Sequence, residues 1–136
     1  MVLSEKEYTA IIAKLMMDNP ELNIHDYGYD GGNEYQTDRI ELLSASYKDR
    51  FVLAVNALKF LLPKFDKPEP TSAITASLNR RHPDLNFHDG IVAAAALYLE
   101  CKIIPYIPPK YTQNGVGNNC SAIHPKVWNE DQNVST

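Results

Sequence analysis

The chain has 136 residues and a formal net charge of −4, with its basic residues scattered apart from Arg80-Arg81 and a loose Lys59, Lys64, Lys67 group. That length suits one domain whose core stands without disulfide or metal staples, and the charge pattern argues against a surface for nucleic acid. No apolar run reaches membrane-spanning length, no secretion signal is expected, and Cys101 and Cys120 are expected as reduced thiols in a cytosolic protein.

Ser4 and Glu7 have the spacing of a capping box, so a first helix is expected to start at Glu5. Tyr8, Ile11, Ile12, Leu15 and Met16 fall on one apolar stripe, and Asp18-Asn19-Pro20 ends it, because a residue before proline disfavours the helical region. A corner comes next, Asn19-Pro-Glu-Leu-Asn-Ile-His-Asp26. After it comes Tyr27-Gly-Tyr-Asp-Gly-Gly-Asn-Glu-Tyr35, read as an irregular loop or a short hairpin around Asp30-Gly31-Gly32. Tyr27, Tyr29 and Tyr35 offer large amphipathic area at low entropic cost and are candidate partner contacts. Tyrosines that fold back on their own loop are the more common case. Asp30 and Glu34 lack the alternating ligands of an EF-hand loop.

Thr37 or Asp38 is placed to cap a short helix through Leu43, and Ser46, with Asp49 three residues on, to cap the next. That helix is expected from Tyr47 to about Leu62, with Phe51, Val52, Val55, Leu58, Leu61 and Leu62 toward the core, and it stops at Pro63. Lys64 to Pro70 reads as a stiff connector. Thr71 or Ser72 then caps a third main helix, which carries few large apolar residues beyond Ile74 and Leu78 and is expected at the edge. A second corner, His82-Pro-Asp-Leu-Asn-Phe-His-Asp89, leads into a helix from about Phe87 to Lys102. Its text from Ile91 to Leu99 is apolar all round, with four consecutive alanines, so it belongs at the centre.

The two corners are one motif. At a constant offset of 63 residues, positions 10 to 26 hold nine identities in seventeen with their counterparts, among them Ala10/Ala73, Ile11/Ile74, Leu15/Leu78, Pro20/Pro83, His25/His88 and Asp26/Asp89. This is an internal repeat. Within each corner proline stops one helix, asparagine (Asn23, Asn86) sits where an N-cap is wanted, and the aspartate three residues later (Asp26, Asp89) can reach back to it. Capping chemistry thus explains every residue except the two histidines.

A sharper reading packs the two units about a pseudo-twofold axis and brings His25, Asp26, His88 and Asp89 together. Two imidazoles and two carboxylates suit a divalent metal, which would activate water for hydrolysis. A tandem helix-turn-helix fits less well, because the helix after the second corner is nearly free of side chains that read bases or bind phosphate. The sequence has no nucleophile elbow, phosphate-binding glycine loop, zinc spacing or dinucleotide fingerprint.

From Ile104 onward proline, glycine and asparagine dominate. Composition alone makes this segment extended and disordered in a free monomer. Yet Tyr106, Tyr111 and Trp128, with Ile107, Ile123 and Val127, space apolar pegs along it, which points to docking on its own domain or on a neighbouring subunit. Pro105-x-x-Pro108 is a weak polyproline signal.

The expected fold is all-α: a small helical domain of four main helices at residues 1–103, with repeat copies at about 8–62 and 71–103, followed by an extended tail at 104–136. The expected function is a non-enzymatic interaction or assembly subunit that oligomerises or docks in a larger complex through that tail. A viral connector-type structural protein is one such case, and would place the chain in a virion. Tyr27, Tyr29, Tyr35, Tyr106, Tyr111 and Trp128 are its candidate partner contacts, and no cofactor is needed. The alternative is a metal-dependent hydrolase that uses the paired His-Asp motifs.

Overall fold

The computed structural model describes residues 1–20, 36–65, 69–105 and 121–124. Those residues are mostly helical. The helices are α1 (Glu5–Asp18), α2 (Gln36–Leu42), α3 (Lys48–Leu61), α4 (Thr71–Arg81) and α5 (Asp89–Tyr98). Three short strands, β1 (Glu69–Pro70), β2 (Lys102–Pro105) and β3 (Ser121–His124), form an antiparallel sheet in the order β1-β3-β2.

α1 starts where its capping box requires. Ser4 Oγ accepts from the Glu7 amide at 3.1 Å, and Glu7 Oε1 accepts from the Ser4 amide at 2.9 Å. The helix closes at Asn19, whose backbone and side-chain nitrogens both donate to the Leu15 carbonyl, at 3.1 and 3.0 Å. Tyr8 and Ile12 are buried from its stripe, and Ile11, Leu15 and Met16 pack partly against the core.

Capping of the middle helices differs from the sequence expectation. α2 already includes Thr37 and Asp38, so neither caps it. A 3-10 turn, Ala45–Tyr47, precedes α3, and its cap is Ser44, whose Oγ accepts from the Ser46 amide. Ser46 is therefore a capped residue and not a cap. The last carbonyls of α2 and of the turn after it are met from α1 instead: Tyr8 Oη donates to Leu42 O at 2.7 Å, and Thr9 Oγ1 to Leu43 O at 3.1 Å. These bonds satisfy two groups that a helix end leaves open.

α5 is the centre. Residues Ile91 to Ala96 are at most 1% exposed, and the helix packs against α1, α3, α4 and β2. Alanine at four successive positions gives every side of the helix a thin wall, which lets three other helices approach it. On its α1 and α3 sides an edge-to-face series runs from Tyr8 through Phe51 to Tyr98, with both centroid spacings 5.5 Å.

α5 is shorter than its apolar text suggests. It ends at Tyr98, and the Glu100 and Cys101 amides turn back to Leu97 O and Ala96 O, both at 2.9 Å. This is the Schellman arrangement, with Glu100 at φ 64° in the left-handed position that glycine usually fills. Without a glycine there, no sequence signal announces the stop. Cys101 comes next, buried, and burial pushes its thiol up to about 11.

The segment from Ile104 contributes to the sheet. β3 lies between β1 and β2, with Ile123 opposite both Glu69 and Ile103. Residues 121–124 pair with both β1 and β2, and Pro70 belongs to a strand and stands as N-cap of α4 without a side-chain bond. Thr71, expected as that cap, is instead the first helical residue and is buried. α4 packs on α5, β1 and β3 and leaves Ser72, Ala73, Ala76, Arg80 and Arg81 exposed.

Two substitutions test these contacts. Tyr8→Phe leaves the Leu42 carbonyl without its hydroxyl donor in a dry site and is expected to cost about 1–3 kcal/mol, read as a lower urea midpoint at unchanged slope. Glu100→Gly removes the left-handed penalty and is expected to add about 0.5–1 kcal/mol after the glycine's extra unfolded-state entropy, read the same way.

Candidate functional site

The second corner carries the described half of the candidate His-Asp site. α4 ends at His82, whose backbone nitrogen donates to Leu78 O at 2.9 Å with φ −131° and ψ 68°. α1 ends alike at Asn19, with φ −129° and ψ 55° and a bond to Leu15 O. Leu15 and Leu78 are counterparts at the repeat offset, as are the buried pairs Tyr8/Thr71 and Ile12/Thr75. The two helices thus match in register and in the way they stop.

Asn79 sets the course of the backbone beyond α4. Its Oδ1 accepts from the Phe87 amide at 2.8 Å, and its Nδ2 donates to the Phe87 carbonyl at 3.1 Å. The side-chain amide treats Phe87 as a neighbouring strand would, and the Phe87 ring is buried, 6.1 Å from the His82 ring. Asn79 engages both the amide and the carbonyl of Phe87, and Phe87 lies outside the helix, which begins at Asp89.

The expected cap is corrected accordingly. Asn86 is not the N-cap; His88 is, at φ −119° and ψ 167°, and α5 begins at Asp89. Asn86 Nδ2 instead lies 3.3 Å from His88 Nε2. Asp89 does not reach back to Asn86: its Oδ1 accepts from Thr75 Oγ1 at 2.7 Å, a bond between the start of α5 and the middle of α4. Thr75 Oγ1 is also 3.1 Å from Thr71 O. One hydroxyl proton serves two acceptors, so an ionised Asp89 takes it, whereas a protonated Asp89 would donate to Thr75 Oγ1 and release that proton to Thr71 O.

Burial raises the Asp89 carboxyl above its ordinary value, against the Thr75 bond and the His88 charge, which both lower it. The helix start and the hydroxyl hold a carboxyl that desolvation would keep neutral.

Among the described residues no group of three or more His, Cys, Asp and Glu side chains is placed to hold a metal ion. His25 and Asp26 lie outside the described residues, as do Tyr27, Tyr29, Tyr35, Tyr106, Tyr111 and Trp128. No helix among the described residues is long and apolar enough to cross a membrane.

Asn79 and Thr75, which organise the corner, were not singled out from sequence. A signal was present: at the repeat offset they replace Met16 and Ile12, polar residues on a face that is otherwise matched. The tying bonds therefore belong to the second copy, because neither Met16 nor Ile12 can make them. The chain matches no protein-family model, and no curated protein or solved structure is significantly similar to it.

Because the folded pKa of Asp89 is raised, its stabilising contribution is full below the unfolded value of about 3.9 and is lost as pH rises through the folded value. Asp89→Asn removes this dependence. The variant is expected to gain stability relative to the native chain as pH goes from about 3 to about 7, measured as paired urea midpoints. A difference that stays flat, or a variant that loses stability relative to the native chain over that range, would overturn the assignment.

Proposed function

We propose that the chain is a non-enzymatic interaction subunit, which oligomerises or docks in a larger assembly through residues 104–136. The observation that carries this reading is the pairing of β3 between β1 and β2. Through it, the stretches bearing Tyr106, Tyr111 and Trp128 are tied by the backbone to a filled helical core at Pro105, Ser121 and His124. A segment secured at those points meets a neighbour with less ordering entropy to lose than a free tail would. Exposed apolar side chains on the helical body, Met17 at 79%, Ile40 at 69% and Phe60 at 59%, add surface that the core does not use. A connector-type subunit of a virus particle is one setting that fits such a body.

The test compares the solution mass of the full chain, a chain ending at His124, and a chain ending at Ile103. The full chain is expected to exceed its monomer mass of 15.3 kDa, and both shortened chains to fall to the monomer. Thermal melting separates them, because only the shorter chain loses β3. A full chain that is monomeric, or assembly that survives both deletions, would remove the tail from the reading. Divalent metal retained through chelator-free purification and lost in His88→Ala would favour the hydrolytic alternative instead.

A further inference from the structure

α1 and α5 pack together, and a pocket of about 340 Å³ opens between their C-terminal ends. Both ends carry the negative pole of a helix dipole. α2, α3 and α4 answer that pole with Arg39, Lys59, and Arg80 with Arg81, whereas the last turns of α1 and α5 contain no basic residue. The pocket therefore gathers two poles that the chain's own last-turn residues leave unanswered.

Its side chains add to the field. Lys14 is already paired with Asp18 at 2.6 Å. Glu100 has no ion pair or side-chain hydrogen bond among the described residues, which leaves the lining one net negative charge. Glu100 also occupies a left-handed backbone position where glycine would fit without penalty. Glu100 thus joins the lining of the pocket at a cost to the fold. Tyr98 exposes a third of its surface beside it, and Ile11, Leu15 and Leu97 supply an apolar wall.

We propose that this pocket binds a lysine or arginine side chain of a partner polypeptide. The cationic head sits between the Glu100 carboxylate, the Tyr98 ring and the two helix ends, and its methylene stem lies along Ile11, Leu15 and Leu97. The site rests on the reading of the chain as an interaction subunit and gives that reading a partner chemistry, independent of the tail.

The test is a backbone-amide NMR titration of the full chain with Nα-acetyl-arginine amide and Nα-acetyl-lysine amide, against Nα-acetyl-norleucine amide as the uncharged match. Saturable shifts are expected at Leu15, Asn19, Leu97, Tyr98 and Glu100 with either cationic probe, with the norleucine probe weaker by about threefold or more. Glu100→Gln is expected to weaken the cationic probes about threefold and leave the norleucine probe unchanged. Glu100→Gly is expected to bind no better than Glu100→Gln although it is the more stable protein, which separates loss of the carboxylate from loss of the fold. Equal affinity of the charged and uncharged probes, unchanged binding by Glu100→Gln, or shifts confined to other residues would overturn the proposal. If the chain assembles through its tail but ignores the probes, only the pocket assignment fails; if it binds the probes as a monomer, only the tail reading fails.

Discussion

The fold depends on one helix that has no outward face along its middle. From Ile91 to Ala96 every residue of α5 is buried, against α1, α3, α4 and β2. An apolar helix of this kind is insoluble alone, and the chain that covers it must arrive from every side. The small alanine side chains decide how near those neighbours stand, and Phe51, Leu58, Leu78 and Phe87 supply the volume that alanine does not. The placement of the two helix ends, of the His88-Asp89 corner and of the sheet is then a matter of where α5 must enter and leave this enclosure.

That central position was legible in the residues, since an unbroken apolar text of helical length has nowhere else to go. So was α1, because Ser4 and Glu7 satisfy each other locally and Pro20 ends the stripe. Local signals failed where a distant group competes. Asn86 and Asp89 have the spacing of a cap, but Asn79 and Thr75, reaching from α4, hold the backbone and the carboxylate in another arrangement. Glu100 stops α5 without the glycine that usually marks such a stop. The strands are four residues or fewer, and proline-rich text surrounds them, so composition averaged over the segment hid β-branched Ile103, Ile104 and Ile123.

α1 and α4 stop alike but are tied differently. α1 and α4 end with nearly the same dihedrals at the same register, yet the residues that fasten the second corner are apolar in the first helix. Thr75 and Asn79 face the approach to α5 itself, and their hydrogen bonds replace part of what Ile12 and Met16 do by burial.

The order of the sheet has a consequence for how the chain comes together. β3 is the middle strand, and it pairs Ile123 with Glu69, 54 positions earlier in the chain. During synthesis the helices and the lone strands β1 and β2 are complete well before the strand that joins them exists. The nascent domain can collapse around α5 through contacts within residues 1–103, but its two short strands wait with unmatched amides until Ser121 to His124 arrive. The sheet is therefore the last part of the domain to form, and a chain released before position 121 would hold a packed helical core with an open β edge.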